Sequence, residues 1–364
     1  GTLAGGGAVL ASWRLARVLL KPHEELVVDH VAASLIGADR ARLTRTPATL
    51  RPGLYGMHWD GGHAVLGEVL SDDGEQVTRR VLSLEGDPKA LVRVTIDPAV
   101  WDGDPASALG IEFEEVSYSA PVGEIPAWLV PGAGSEWVIF VHGIDGTRQD
   151  GLRAVSALRR LGIPVLVISY RNDFGAPLAP AGRITLGMEE WEDLDAACRW
   201  ALAEGAERLV LFGQSMGAAI VGQFMARSSV ADRVAALVFD APALDWAGIL
   251  ASQAGALHVR FLSPVLRWAI GAQIPVDWAA LDLLSRAEEY QLPLLVFHGE
   301  EDTLVPASMS ARFVAAAGGQ ATYVPVPDAG HIESWNVDPE EYGAHLERFL
   351  GPLLDDGPET AKPR

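Results

Sequence analysis

Beyond residue 110 the chain alternates two kinds of segment. Trp137-Val138-Ile139-Phe140-Val141 has no polar position, and apolar runs of similar length recur at 164–169, 208–212, 235–239, 294–297 and 321–326. Between them lie segments of helical period at 152–161, 188–203, 217–227 and 307–317. Unbroken apolar runs belong to parallel strands covered on both faces. The alternation therefore predicts an α/β protein with a mainly parallel, doubly wound sheet, whose ligands gather at the carboxyl ends of the strands. Two further runs, 111–119 and 124–130, predict a hairpin that leads into this sheet. The connection from Asp240 to Pro293 is about 50 residues, too long for an ordinary link, and predicts a helical cap over 241–291.

Ahead of this domain, expected to span 111–354, the pattern shifts to short β-like runs. Those at 63–70 and 76–84 flank Asp72-Asp73-Gly74 and predict a hairpin within a β-rich module over 44–110. Residues 1–43 are expected to be a helical segment, and 355–364 a flexible tail. The apolar run from Leu3 to Trp13, followed by Arg14 and Arg17, is shorter than the roughly 20 residues a bilayer requires. It reads as the remnant of a signal or anchor, or as an amphipathic helix packed on the body. Membrane contact is expected only through this terminus, and location stays open between the cytoplasm and export.

Composition narrows the partners. With 49% hydrophobic and 21% charged residues, the chain can bury a sizeable core. Acidic residues outnumber basic ones 48 to 28, and the formal charge of -20 opposes nucleic acid and anionic membrane surfaces while favouring solubility. The single cysteine, Cys198, excludes an intrachain disulfide and reads as packing within a helical run. The stretch Met57-His58-Trp59-Asp60-Gly61-Gly62-His63 offers two histidines, but Gly-Gly marks a turn and the spacing fits no zinc pattern. Gly5 to Gly7 lack the spacing of a phosphate loop. No metal or organic cofactor is expected, and oligomeric state is left open.

The candidate chemistry lies at strand ends. Directly after the run 208–212, and before a helical pattern, stands Gly213-Gln214-Ser215-Met216-Gly217, a G-x-S-x-G elbow in the strand-to-helix setting that gives the motif meaning. The tight turn presents the Ser215 hydroxyl at a helix N-terminus. A serine needs a base, most often an imidazole. Of nine histidines, His331 follows the last strand-like run in Asp328-Ala329-Gly330-His331 and is the expected base. Asp302, after the run 294–297, is the expected orienting acid, with Asp240, Glu300 and Glu301 as competitors. The oxyanion needs preorganised donors, each worth about 3 kcal/mol. The backbone N–H groups of Met216 and Ile144 are expected there, the latter in His142-Gly143-Ile144-Asp145-Gly146. His142, Gln214, Trp246 and Trp335, with the loop 170–173, are candidates for lining the substrate pocket.

From about Ile111 to Leu354 the chain resembles α/β-hydrolase fold serine hydrolases of the esterase and lipase kind. The resemblance rests on His142-Gly143, the elbow Gly213 to Gly217, His298-Gly299-Glu300-Glu301-Asp302-Thr303-Leu304-Val305-Pro306 and Gly330-His331. The order Ser, Asp, His along the chain is that of this fold. The resemblance implies hydrolysis through an acyl-enzyme, usually of esters, with thioesterases, amidases and peptidases as relatives. The leading expectation is an ester hydrolase for a small-molecule substrate with an apolar acyl group, because the cap segment is rich in Trp, Leu, Ile and Ala. The alternatives are a thioesterase, a peptidase or amidase using the same triad, and a non-catalytic binding protein of the same fold.

Overall fold

The computed structural model describes residues 2–22, 30–87 and 93–355. Six strands form a closed antiparallel barrel: β1 (Val31–Leu35), β2 (Arg40–Thr44), β3 (Tyr55–Trp59), β4 (Gly62–Asp72), β5 (Gln76–Gly86) and β6 (Arg93–Asp97), in the order β1-β2-β5-β4-β3-β6. The predicted hairpin around Asp72-Asp73-Gly74 is β4–β5. The barrel begins earlier than the expected module boundary at 44, so the segment 1–43 is not helical throughout. Val31 and Ala33 of β1, and Ala41 and Leu43 of β2, alternate inward with exposed neighbours. That is the period of two that defines a half-buried strand. Five-residue runs built on alanine carry too little apolar contrast to show this in the sequence alone. The barrel also ends at Asp97, short of 110, where a small helix Pro105–Leu109 follows.

The second part is an eight-stranded sheet in the order β14-β13-β12-β11-β9-β10-β8-β7. Its strands are β7 (Glu114–Ala120), β8 (Gly123–Val130), β9 (Glu136–Val141), β10 (Val165–Ile168), β11 (Arg208–Gln214), β12 (Val234–Asp240), β13 (Leu294–Gly299) and β14 (Ala321–Val326). The pairs from β10 through β14 are parallel, while β7–β8 and β8–β10 are antiparallel. This is the α/β-hydrolase architecture. Side chains of the central strands divide by parity between two cores. Ile139, Leu211, Phe239 and Val296 join one apolar cluster, and Phe140, Phe212, Val238 and Phe297 join the other. Both faces are thus dry, which is why these strands read as unbroken apolar runs. Cys198 is buried among the first group, consistent with packing.

The chain runs from β9 outward to β10 and then returns to place β11 on the other side of β9. The carboxyl ends of β9 and β11 therefore lie side by side at the point where the winding reverses, the position at which open α/β sheets bind ligands. The insertion between β12 and β13 contains the helices Trp246–Ala256 and Ser263–Gly271 and a 3-10 turn Leu284–Glu289. The N-terminal helix Thr2–Leu19 packs on Ser263–Gly271, with Trp13 and Trp268 rings 6.1 Å apart and Ala16 and Leu20 fully buried. Among the described residues no helix is long and apolar enough to cross a membrane. The expected flexible tail lies, from residue 356 onward, outside the described residues; the helix Pro339–Asp355 precedes it.

Candidate active site

Ser215 sits between β11 and the helix Met216–Arg227 with φ 51° and ψ −115°. Such a backbone costs of order 1–3 kcal/mol for a residue with a side chain and persists only where its surroundings impose it. Here Ser215 N–H donates to Asp240 O (2.9 Å), and Ser215 O accepts from Ala243 N–H (3.0 Å). The helix must also pass close to β9, since a Cβ on Gly217 would stand 2.1 Å from Val141 O. Glycine is the residue that permits this approach. The result places Ser215 Oγ 2.9 Å from His331 Nε2.

His331 and Asp302 come from the loops after β14 and β13. His331 Nδ1 lies 2.7 Å from Asp302 Oδ2. An ionised carboxylate only accepts, so Nδ1 carries the proton and Nε2 is left to accept from the serine hydroxyl. Asp302 has a side chain fully hidden from solvent. Burial alone would raise its pKa. Hydrogen bonds from His298 and His331, the neighbouring imidazole charge and the Val305 N–H outweigh that and hold it well below the usual carboxylate range. Oδ1 takes the Leu304 and Val305 N–H groups (both 2.8 Å).

His298, which enters the sequence reading only as the start of the acid loop, is a further member of this network. Its Nε2 lies 3.1 Å from Asp302 Oδ2 and 3.0 Å from Val305 O, and its Nδ1 lies 2.7 Å from Ser310 Oγ. Since Val305 O can only accept, Nε2 donates, and the ring holds the same carboxylate oxygen that His331 Nδ1 meets. The available signal was the four-residue spacing His298 to Asp302 across one tight strand-end loop.

The competing acids separate cleanly. Glu300 and Glu301 are exposed. Asp240 is buried, but its oxygens accept from Ser334 Oγ (2.9 Å) and Tyr342 OH (3.2 Å), and burial raises its pKa. A raised carboxyl makes folding less favourable as pH climbs from the ordinary carboxylate value through the folded one. Asp240→Asn is accordingly expected to keep turnover within about tenfold, under roughly 1.4 kcal/mol of activation free energy. Its stability relative to wild type should rise with pH across that range. Steady-state kinetics and denaturation at graded pH check both; a collapse of turnover in folded Asp240→Asn would return Asp240 to contention.

Of the expected oxyanion donors, Met216 is the first residue of its helix, so its N–H belongs to those a helix leaves without an internal partner. Ile144 follows Gly143, whose position crowds the serine, since a Cβ there would lie 2.9 Å from Ser215 Cβ. The carbonyl of Gly143 is engaged on its other side by Tyr170 OH (2.7 Å).

Two of the four pocket candidates are corrected. His142 is fully buried, with Nε2 2.8 Å from Asp173 Oδ2, Nδ1 2.9 Å from Gly143 O and the Tyr170 ring stacked at 4.3 Å. Burial opposes its charged form, but the Asp173 carboxylate raises its pKa above the ordinary histidine value. Its bonds brace the loop. Trp335 belongs to the apolar core on the other face of the sheet, edge-on to Trp101 at 5.2 Å. Four residues beyond His331, the chain has already turned inward. Gln214 and Trp246 are buried, and among the described residues Gln214 Oε1 and Trp246 Nε1 have no hydrogen-bond partner. Trp268, in the same insertion, faces outward against Trp13.

A metal was not expected at His58 and His63. These are cross-strand neighbours on β3 and β4, and the linker brings Asp102 to them, with His58 Nδ1 3.3 Å from Asp102 Oδ1 and the three ligand atoms within 4.8 Å of one another. His63 Nε2 is hydrogen-bonded to Val100 O (2.9 Å). Among the described residues this is the one such group that could hold a cation. It lies on elements other than those carrying Ser215, Asp302 and His331.

Comparisons with known proteins divide along the same line as the fold. Residues 151–355 match the family model described as the prolyl oligopeptidase family, and residues 27–97 match one described as a domain of unknown function (DUF8805). The chain is 30% identical over 230 residues to the Mycobacterium tuberculosis protein Rv2307c, covering 61% of this chain and 73% of that one. It is 28% identical over 284 residues to the α/β-hydrolase domain-containing protein WAV2 of Arabidopsis thaliana, covering 71% and 86%. Among solved structures, the Pyrococcus furiosus esterase Pf2001 superposes with a TM-score of 0.55 at 20% identity, over 70% of this chain and 97% of the esterase. A puromycin hydrolase superposes with a TM-score of 0.51 at 20% identity, over 88% of this chain and 47% of that one. At these identities the structures speak to fold alone.

Proposed function

The chain belongs to the prolyl oligopeptidase family of α/β-hydrolases, and on that premise we propose that it is a serine hydrolase that cleaves carboxylic esters through an acyl-enzyme. The observation that carries this reading is the hydrogen-bond chain Ser215 Oγ to His331 Nε2 (2.9 Å) and His331 Nδ1 to Asp302 Oδ2 (2.7 Å). Ser215 Oγ attacks the substrate carbonyl carbon while His331 Nε2 takes its proton. The negative charge moves to the carbonyl oxygen, which the N–H groups of Met216 and Ile144 stabilise. The tetrahedral intermediate collapses as His331 returns the proton to the leaving alcohol, and water, deprotonated by the same imidazole, releases the acid. Asp302 stays ionised and keeps the imidazole in the productive tautomer. No step draws on a metal or organic cofactor.

Trp246, Ile249 and Leu250 are apolar and follow closely on the segment bonded to Ser215 O, which supports an apolar acyl group beneath a helical cap. The family's description favours a second reading, cleavage of a peptide or other amide by the same groups. A panel of p-nitrophenyl esters, thioesters and anilides of graded acyl length separates the two. The expected result is the highest kcat/KM on esters, increasing with acyl length. Greater kcat/KM on the anilides would favour the peptidase reading, and a preference for short charged acyl groups would overturn the apolar pocket.

A further inference from the structure

The loop that carries His331 takes positive φ on either side of it, at Asp328 (61°) and at Ile332 (55°). The β-branched Ile332 holds such an angle only where neighbours impose it. Part of that restraint comes from within the sheet domain, where Arg153 Nη1 donates to Ile332 O (2.6 Å) and Asn336 Oδ1 (2.9 Å). The rest comes from the barrel. Arg51 is ion-paired with Glu333, whose side chain is 1% exposed. Glu333 Oε2 accepts the N–H of Gly330, the residue before His331, at 2.8 Å, and Tyr55 OH reaches the same oxygen at 3.4 Å. Further along, Leu54 N–H donates to Asn336 O (2.9 Å), and Asn336 Nδ2 donates to Leu54 O (2.6 Å) and Pro98 O (2.8 Å). The anchoring segment is itself fixed from inside the barrel: the fully buried Arg79 guanidinium donates to Arg51 O (2.8 Å), Gly53 O (2.6 Å) and Gly67 O (2.6 Å).

We propose that the barrel is a positioning module for the base, and that Arg51, through Glu333 and the Gly330 N–H, sets the place of His331 relative to Ser215. The proposal rests on the reading of His331 as general base. Arg51 meets the loop through the Glu333 carboxylate, so it is a positioning residue. Its loss would free both the Gly330 end of the loop and a carboxylate left unpaired in the interior. A base displaced by about 1 Å is enough to slow proton transfer by up to about 100-fold while substrate binding is unchanged.

The test compares Arg51→Ala, Arg51→Lys and the double variant Arg51→Ala/Glu333→Gln, which removes the unpaired charge and so keeps a folded protein in hand. Arg51→Ala is expected to lower kcat by on the order of 10- to 100-fold, with KM within about twofold of wild type. Fluorophosphonate labelling of Ser215 should slow in parallel. Arg51→Lys should recover most of the rate, and the folded double variant should remain slow. In a His331→Ala background, Arg51→Ala should change residual activity by less than about twofold, since both act on one step. A folded Arg51→Ala or double variant with wild-type kcat, or an undiminished effect without His331, would overturn the proposal. A wild type that takes no label, or a Ser215→Ala variant that still does, would instead overturn the reading of the site beneath it.

Discussion

Ser215→Ala is expected to lose turnover by on the order of 10^4- to 10^6-fold and all fluorophosphonate labelling, while staying folded. The elbow that strains the backbone at φ 51° is imposed by Asp240 O, Ala243 N–H and the tight approach of the following helix, none of which involves the hydroxyl. Alanine meets the same backbone cost as serine. The substitution leaves His331 Nε2 without its partner, but the imidazole side chain is 18% exposed and water can replace the hydroxyl. The stability change should therefore stay within about 1 kcal/mol, the net worth of an ordinary hydrogen bond. Turnover, labelling and thermal unfolding of the purified variant check the three statements. Label retained on folded Ser215→Ala would show that another residue is the nucleophile.

Asp302→Asn should lower turnover by roughly 10^4-fold with little change in volume. Oδ1 accepts two backbone N–H groups, so the amide oxygen of asparagine will settle there and its NH2 will take the place of Oδ2. That NH2 then faces two imidazole nitrogens that previously donated, His331 Nδ1 and His298 Nε2. The His331 ring can satisfy it only by accepting at Nδ1, which moves the proton to Nε2 and removes the acceptor for the serine proton. Stability should change with a particular pH signature. Asp302 is held below the ordinary carboxylate range in the folded protein, so its contribution is present above that range, near pH 4, and is lost as pH falls toward the folded value. Wild type should thus exceed Asp302→Asn in stability at neutral pH, with the gap closing in acid. Turnover within about tenfold of wild type would refute the assignment.

Two histidines at strand ends are held by different partners in space. His298 and His142 both follow apolar strands directly, and their position in the chain is nearly equivalent. One shares the carboxylate of Asp302 with His331, while the other is spent on Asp173 and Tyr170. The carboxylate four residues after His298 is the local difference between them; the partner of His142 lies 31 residues away, where local pattern does not reach. Trp335 packs away from its expected place near the base for a related reason. Nearness to His331 in sequence says little after a residue with φ 55° has redirected the chain into the opposite core.

By itself the sequence determined the parallel sheet and the elbow, since both are local. A strand dry on both faces must be apolar throughout, and a turn this tight admits little but glycine two residues before and two after the serine. It also offered Ser215, His331 and Asp302 as the expected triad, because they fall at strand ends in the order this fold uses, but it left Asp240, Glu300 and Glu301 as competing acids. Only the tertiary structure decided which acid meets the imidazole, that His298 steadies it, and that a separate barrel reaches across to Glu333 and Asn336 beside the base. The first two depend on how the loops after neighbouring strands meet, and the last joins residues 282 positions apart through the packing of two folded bodies, which periodicity and motif spacing do not encode.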